Sequence, residues 1–273
     1  MYERIVATVD GSPFAESVLP YAVGIARATG AGLKIVRVAH EGESIIAEGY
    51  AEDLGKRLGI PARALPADGV PADAILRELS REPADLLAMA THGRGGILET
   101  VMGSVASQVL QDAPCPLLLF RPKDEEFAVT DHRDIKIVVI ALDGSDYSER
   151  VMGPAAALAK DLGADVRIVQ VVEPGARVEG TSSGDVVESS YVRSRAGVIQ
   201  AEVGLKPDWD VLHGDPAKAI ADHVRGLDGA MLAMASHARK PLGKVLLGSV
   251  TSACLRTTGL PVFVAGPNYA AAK

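Results

Sequence analysis

The stretch that decides the reading is Ala90-Thr91-His92-Gly93-Arg94-Gly95-Gly96-Ile97-Leu98-Glu99-Thr100-Val101-Met102-Gly103-Ser104. Before it, the apolar run Leu86-Leu87-Ala88-Met89 predicts a buried strand, and after it Val105 to Leu110 carries apolar residues at helical spacing. A strand, a glycine-rich loop and a helix opening on Gly-Ser make a cradle for an anion. Glycine lets the backbone approach a phosphate closely and reach positive φ, and the free N–H groups of a helix start point at negative charge. This is not a Walker A loop: nine residues separate Gly93 from Gly103, and no Gly-Lys-Ser/Thr follows. A turn that only connects strand to helix has the same composition, so the loop alone leaves both readings open.

The same layout returns downstream. Leu232-Ala233-Met234-Ala235-Ser236-His237-Ala238 is followed by nine residues and then Gly248-Ser249. Other segments repeat with it. Ile5-Val6-Ala7-Thr8-Val9 ends in Asp10-Gly11-Ser12, and Ile137-Val138-Val139-Ile140-Ala141-Leu142 ends in Asp143-Gly144-Ser145, an offset of 143 − 10 = 133. Gly69-Val70-Pro71-Ala72 matches Gly214-Asp215-Pro216-Ala217, and Gly103-Ser104 matches Gly248-Ser249, now at 248 − 103 = 145. The second copy therefore carries 145 − 133 = 12 extra residues, placed in the polar segment Gly175 to Ser190, which reads as a mobile loop.

Each copy reads β-α-β-α-β-α-β-α-β. In the first, Ser12 caps a helix opening at Pro13, with Glu16 in its first turn and Gly30 at its end; Leu33 to Val38 is the second strand. A helix over about Glu43 to Leu58, a weak strand Ala62 to Ala67 and a helix Asp73 to Arg81 follow, and Leu117 to Phe120 is the fifth strand after Pro114-Cys115-Pro116. Alternating strands and helices predict parallel pairing with right-handed crossovers. The boundaries fall at residues 1–122 and 135–267, with a charged linker over 123–134 and a tail over 268–273.

With 28 Lys and Arg against 35 Asp and Glu, the net charge of −7 argues against bulk binding of nucleic acid or an anionic membrane. A nucleotide held by backbone amides remains compatible with it. Cys115 and Cys254 show no metal-ligand spacing and stand at non-equivalent places, so neither a metal site nor a disulfide framework is expected. No run approaches transmembrane length and no leader opens the chain, so the expectation is a soluble cytoplasmic protein.

These motifs resemble the universal stress protein family in its tandem two-domain form, over almost the whole chain apart from the linker, residues 173–200 and the last few residues. The resemblance implies two five-stranded parallel sheets of order 3-2-1-4-5 with helices on both faces, the two domains pairing through their fifth strands as a pseudo-dimer, and whole chains dimerising again. It also implies ATP, ADP or AMP at the carboxyl ends of strands 1 and 4, with Mg²⁺ or Mn²⁺ carried by the phosphates. Carried over by position, Asp10 meets the adenosine with Thr8 and Val9 beside it, and Val38 lines the adenine pocket. Ala90, Gly93, Arg94, Gly103, Ser104 and Val105 surround the ribose and phosphates. The second copy offers Asp143, Val171, Ala238, Gly248 and Ser249. The family's Gly-x-x-Gly becomes Ala90 and Gly93 in the first copy but Ala235 and Ala238 in the second, so nucleotide is expected mainly in the first. A left-handed conformation at Ala238 would cost roughly 1–2 kcal/mol.

Each residue also has a plainer reading. Asp10 and Asp143 suit turns; the repeat favours a ligand role. His92 and His237 titrate near neutrality, yet a lone His after a strand is more often structural, and no catalytic residue is assigned. Ser104 and Ser249 have no triad partners and fit helix capping with phosphate contact. Cys115 reads as a packed thiol. The function implied is a stress-response protein sensing adenine nucleotide. A slow ATP hydrolase and a nucleotide-free interaction module are the alternatives.

Overall fold

Strands built almost wholly of Val, Ile, Leu and Ala are buried on both faces, and they set the architecture. The computed structural model describes residues 2–39, 42–66, 70–92, 102–122, 132–172, 184–236 and 247–269, with only the backbone of 184–188. The first half runs β1 (Arg4–Val9), α1 (Pro13–Glu16), α2 (Leu19–Thr29), β2 (Gly32–Val38), α3 (Ser44–Leu58), β3 (Ala62–Leu65), α4 (Pro71–Arg81), β4 (Leu86–Ala90), α5 (Ser104–Asp112) and β5 (Leu117–Phe120). The second runs β6 (Ile137–Leu142), α6 (Asp146–Glu149), α7 (Met152–Leu162), β7 (Asp165–Val172), α8 (Gly184–Val203), β8 (Asp208–His213), α9 (Pro216–Val224), β9 (Ala230–Ala235), α10 (Ser249–Thr257) and β10 (Val262–Ala265).

All ten strands join one sheet of order β3-β2-β1-β4-β5-β10-β9-β6-β7-β8, two 3-2-1-4-5 halves fused edge to edge. Pairing within each half is parallel. The halves meet where β5 and β10 pair antiparallel, Leu118 opposite Phe263, with Val262 against Leu119 and Val264 against Leu117. Leu118 and Phe263 are equivalent positions (263 − 118 = 145), so the pair sits on a pseudo-two-fold axis and the register is self-complementary.

Across the seam α2 packs on α7. Tyr2 donates its N–H to Asp161 Oδ2 at 2.8 Å and its hydroxyl to the Pro154 carbonyl at 3.0 Å, so the start of the first half grips the second. Reciprocally, Arg133 donates its backbone N–H to the Pro20 carbonyl at 2.9 Å and Nη1 to the Tyr21 hydroxyl at 3.2 Å.

Two expectations need correction. The helix expected from Pro13 to Gly30 is two pieces, because Pro20 lacks the N–H an unbroken helix would need there; α2 restarts with it in its first turn. The second half breaks at the same place, between α6 and α7. The expected loop Gly175 to Ser190 is helical from Gly184: Val192, Ala196 and Ile199 recur at helical spacing on a buried stripe, and α8 extends back from them. Residues 173–183 lie outside the described set, as does most of the linker.

Gly24 shows how closely the linker's end seats on α2. A Cβ built there would stand 2.0 Å from the Arg133 carbonyl oxygen. Gly24→Ala should therefore lower stability by about 1–3 kcal/mol by overpacking, despite alanine's better helix propensity. A rise in the melting temperature of that variant would contradict the seating.

Candidate functional site

β1 is bonded to β2 on one side and to β4 on the other, and this is the switch point of the first half. The chain leaves β1 toward α1 and α2 on one face and leaves β4 toward α5 on the opposite face, opening a crevice at the strands' carboxyl ends, where open α/β sheets take ligands. β6 and β9 repeat the arrangement in the second half.

Alternation along the strands sorts the expected residues. Val6 belongs to the buried cluster under α4 and α5, with Val38 and Val105 packed against it. Thr8, two residues on, shares that face, opposite Val36 on β2 and Met89 on β4. Val9 joins the other cluster, under α2. Ala90 is buried at the end of β4, opposite Phe120. In the second half Val171 packs as Val38 does. Gly93, Arg94, His237 and Ala238 lie outside the described residues.

Asp10 is held in a local turn. Its Oδ1 accepts the Ser12 N–H at 2.9 Å and the Ser12 hydroxyl at 2.7 Å, while Ser12 Oγ accepts the Ala15 N–H at 3.1 Å and caps α1. Asp143, Ser145 and Ser148 repeat this at 2.9, 2.5 and 3.1 Å. The turn reading of both aspartates thus has its geometry, and it fixes where each carboxyl group stands.

The cradle residues depart from expectation in an informative way. Gly103, not Ser104, is the N-cap of α5, and no side chain caps that helix; Ser104 is its first residue and is exposed. Gly248 and Ser249 stand likewise at α10. The capping role expected for the two serines is therefore wrong, because a cap must precede the first helical residue. By contrast α1, α6 and α9 are capped by Ser12, Ser145 and Asp215. Gly103 has φ −69, which any residue adopts, and among the described residues a Cβ there would touch the Thr91 carbonyl oxygen at 3.4 Å and His92 Cα at 3.9 Å. Its N–H donates to that carbonyl at 2.7 Å. No described neighbour requires glycine at this place.

His92 is buried, its Nδ1 3.1 Å from Thr91 Oγ1 and its ring edge-on to Phe14 at 5.9 Å. In the second half Tyr147 replaces Phe14, and its hydroxyl lies 3.3 Å from Ser236 Oγ. A buried polar feature missed in the sequence recurs in both halves. Glu16 is buried at the end of α1, where it accepts a short hydrogen bond from the Tyr50 hydroxyl of α3, with Arg57 Nη2 at 3.9 Å. Glu149 is held the same way by Tyr191 at 2.9 Å and Arg195 at 2.6 Å. Burial, then the bond to the glutamate, pushes both phenols up from their ordinary range. The one sequence signal was the offset shared by the two glutamates (149 − 16 = 133).

With this geometry in view, comparison with known proteins is decisive. The sequence profile of the universal stress protein family matches residues 1–121 and again 134–266. The chain belongs to the universal stress protein family. A universal stress protein of Thermus aquaticus is 33% identical over 44% of this chain and 100% of its own length. One from Mycobacterium tuberculosis is 26% identical over 79% of this chain and 78% of its own. The crystal structure of a universal stress protein from Archaeoglobus fulgidus superposes with a TM-score of 0.72 at 23% identity, covering 96% of this chain and 98% of that one, which establishes the shared tandem fold.

Among the described residues of this universal stress protein, no helix is long and apolar enough to cross a membrane. Cys115 and Cys254 are buried, and burial pushes each thiol up to about 12. At pH 8 only about one part in ten thousand would be thiolate, the form that reacts. Both cysteines should resist iodoacetamide at pH 8 in the folded protein and alkylate fully in denaturant. Rapid native labelling would show that the packing around them opens.

Proposed function

We propose that this universal stress protein binds an adenine nucleotide (ATP, ADP or AMP) in the crevice of its first half and acts as a sensor of adenine-nucleotide state in a stress response. Gly103 carries the reading. Its backbone conformation suits any residue and, among the described residues, its surroundings leave room for a side chain, and at the start of α5 a missing side chain lets a ligand approach closely. That helix start offers N–H groups that no side chain caps, and these suit a phosphate. Asp10, fixed by Ser12, stands at the end of the neighbouring strand to meet the adenosine, with Thr8, Val9 and Val38 around it.

Mg²⁺ or Mn²⁺ would arrive on the phosphates and supply charge neutralisation there. Among the described residues no cluster of three His, Cys, Asp or Glu side chains is placed to hold a metal. The second half keeps Asp143, Gly248 and Ser249 but has alanine at both loop positions where the family has glycine, so it is the weaker site.

Titrating nucleotide-stripped protein with ATP should give about one molecule bound per chain. Gly103→Ala should keep the melting temperature within about 2 °C yet weaken ATP binding at least tenfold, because its methyl group occupies the cradle. Gly103→Trp should abolish binding at that site. Absence of binding at millimolar ATP would overturn the proposal, and steady phosphate release in the same titration would make the site a hydrolase instead.

A further inference from the structure

Among the described residues Arg37 is the largest fully buried side chain, at 1% exposed. It stands two residues after Ile35 on β2 and opposite Val9 of β1, so it faces α2 and α3, across the sheet from Val36 and Val38. Its guanidinium lies over the Tyr50 ring, 4.8 Å from the centroid. Nη1 donates to the Ile46 carbonyl at 3.5 Å, and Nη2 is 3.5 Å from Glu43 Oε2. Nε and Nη2 have no hydrogen-bond partner, and among the described residues no other side chain leaves two buried polar atoms in that state.

Burying a guanidinium is costly unless its charge is paired and its N–H groups are taken. Two other buried charges meet that condition. Glu78 accepts from Lys34 at 2.9 Å and is paired with Arg63, while Glu16 is held by Tyr50 and Arg57. The second half also shows that the scaffold needs no cation at this place. The equivalent residue is Gln170 (170 − 37 = 133), opposite Leu142 as Arg37 is opposite Val9. The group around Glu16 recurs around Glu149, but the buried charge beside it does not.

The two unpartnered nitrogens share one edge of the guanidinium. Their N–H bonds run parallel there, in the fork that takes two oxygens of a single oxyanion. Nη2 turns that edge toward Glu43, the N-cap of α3, where no side chain caps the helix and the N–H groups of its first turn are open to an anion.

We propose that Arg37 forms an anion site, its Nε and Nη2 and the head of α3 taking a small tetrahedral oxyanion such as phosphate while the partly exposed Glu43 side chain swings aside. The site lies on the opposite sheet face from Val38 and does not rest on the nucleotide reading. A free ion suits it, because the sheet, Tyr50 and the first turn of α3 enclose the guanidinium. A tetrahedral dianion suits it better than a carboxylate does. The Glu43 carboxylate already at hand makes an ion pair without a hydrogen bond from the fork, whereas phosphate brings more charge and enough oxygens for fork and helix head together.

The test is calorimetric titration of the full chain with inorganic phosphate at constant ionic strength. Arg37→Gln, which installs the residue of the second half, should weaken phosphate binding at least tenfold, and Arg37→Lys, which keeps the charge without the fork, about three- to tenfold. Glu43→Gln should tighten it, since a competing carboxylate is removed. Phosphate-free Arg37→Gln should melt at the same temperature as the parent protein or higher. Gly103→Trp, altered on the α5 side, should bind phosphate within about twofold of the parent. The inference fails if the parent binds no phosphate at 20 mM or if Arg37→Gln binds it as the parent does. It fails equally if Glu43→Gln binds more weakly, or if phosphate-free Arg37→Gln is destabilised as loss of a structural ion pair would require. Loss of phosphate binding in Gly103→Trp would place the ion in the crevice instead and overturn the separate site.

Discussion

The antiparallel pairing of β5 with β10 is the constraint on which the rest depends. Leu117-Leu118-Leu119-Phe120 and Val262-Phe263-Val264-Ala265 are buried throughout, and in an isolated half each would be an exposed apolar sheet edge, a template for uncontrolled pairing. Joining the two edges removes that hazard. It leaves only β3 and β8 at the margins, a short strand and one carrying Asp208 and Asp210. Because Leu118 faces its own equivalent, Phe263, the join is a two-fold contact built within one chain. Antiparallel pairing also sets the carboxyl ends of the two halves on opposite edges of the sheet, so the two crevices open away from each other.

Much of this was legible because the signals were local and doubled. The fifth strands are bounded by prolines and charge, and Leu117 to Phe120 and Ile137 to Leu142 fall where the apolar runs end. Where the sequence misled, a nonlocal or geometric fact decided. Pro20 looks compatible with a continuous helix until its missing N–H is counted against the turn before it. Ser104 looks like a cap until the helix is found to begin on it. The Glu16–Tyr50 bond joins residues 34 apart through the fold, and no periodicity announces it. Of the candidate site, the placement of Asp10, Gly103 and Val38 at the strand and helix ends was legible, whereas the hold of Ser12 on the Asp10 carboxyl and the unstrained backbone of Gly103 were visible only in three dimensions.

The glycines show why that distinction matters. Gly24 is required by the fold, since the Arg133 carbonyl lies where a Cβ would be, and Gly266 is also confined, because a Cβ there would stand 2.7 Å from the Leu110 carbonyl oxygen. Gly30 and Gly163 end helices at φ +74 and +66. Gly103 meets none of these conditions. Sequence alone treats these glycines alike; backbone angle and neighbouring atoms separate Gly24, Gly30, Gly163 and Gly266, which the fold constrains, from glycines such as Gly103 that no described neighbour confines.

Comparison of the halves extends the same logic to polar residues. What the scaffold needs appears twice: Ser12 on Asp10 and Ser145 on Asp143, Tyr50 and Arg57 on Glu16, Tyr191 and Arg195 on Glu149. The last pair reaches its glutamate from different sequence spacings, seven residues apart on α3 and four on α8, so the interaction is maintained although the register is not. The crevice lining, by contrast, diverges: Thr8 against Ala141, Phe14 against Tyr147, Thr91 against Ser236, Ala106 against Thr251. A sheet held by one symmetric seam tolerates such differences because they lie at the strand ends, away from the apolar middle that holds the halves together. Two copies of one fold can therefore carry two unequal sites without either half losing its core.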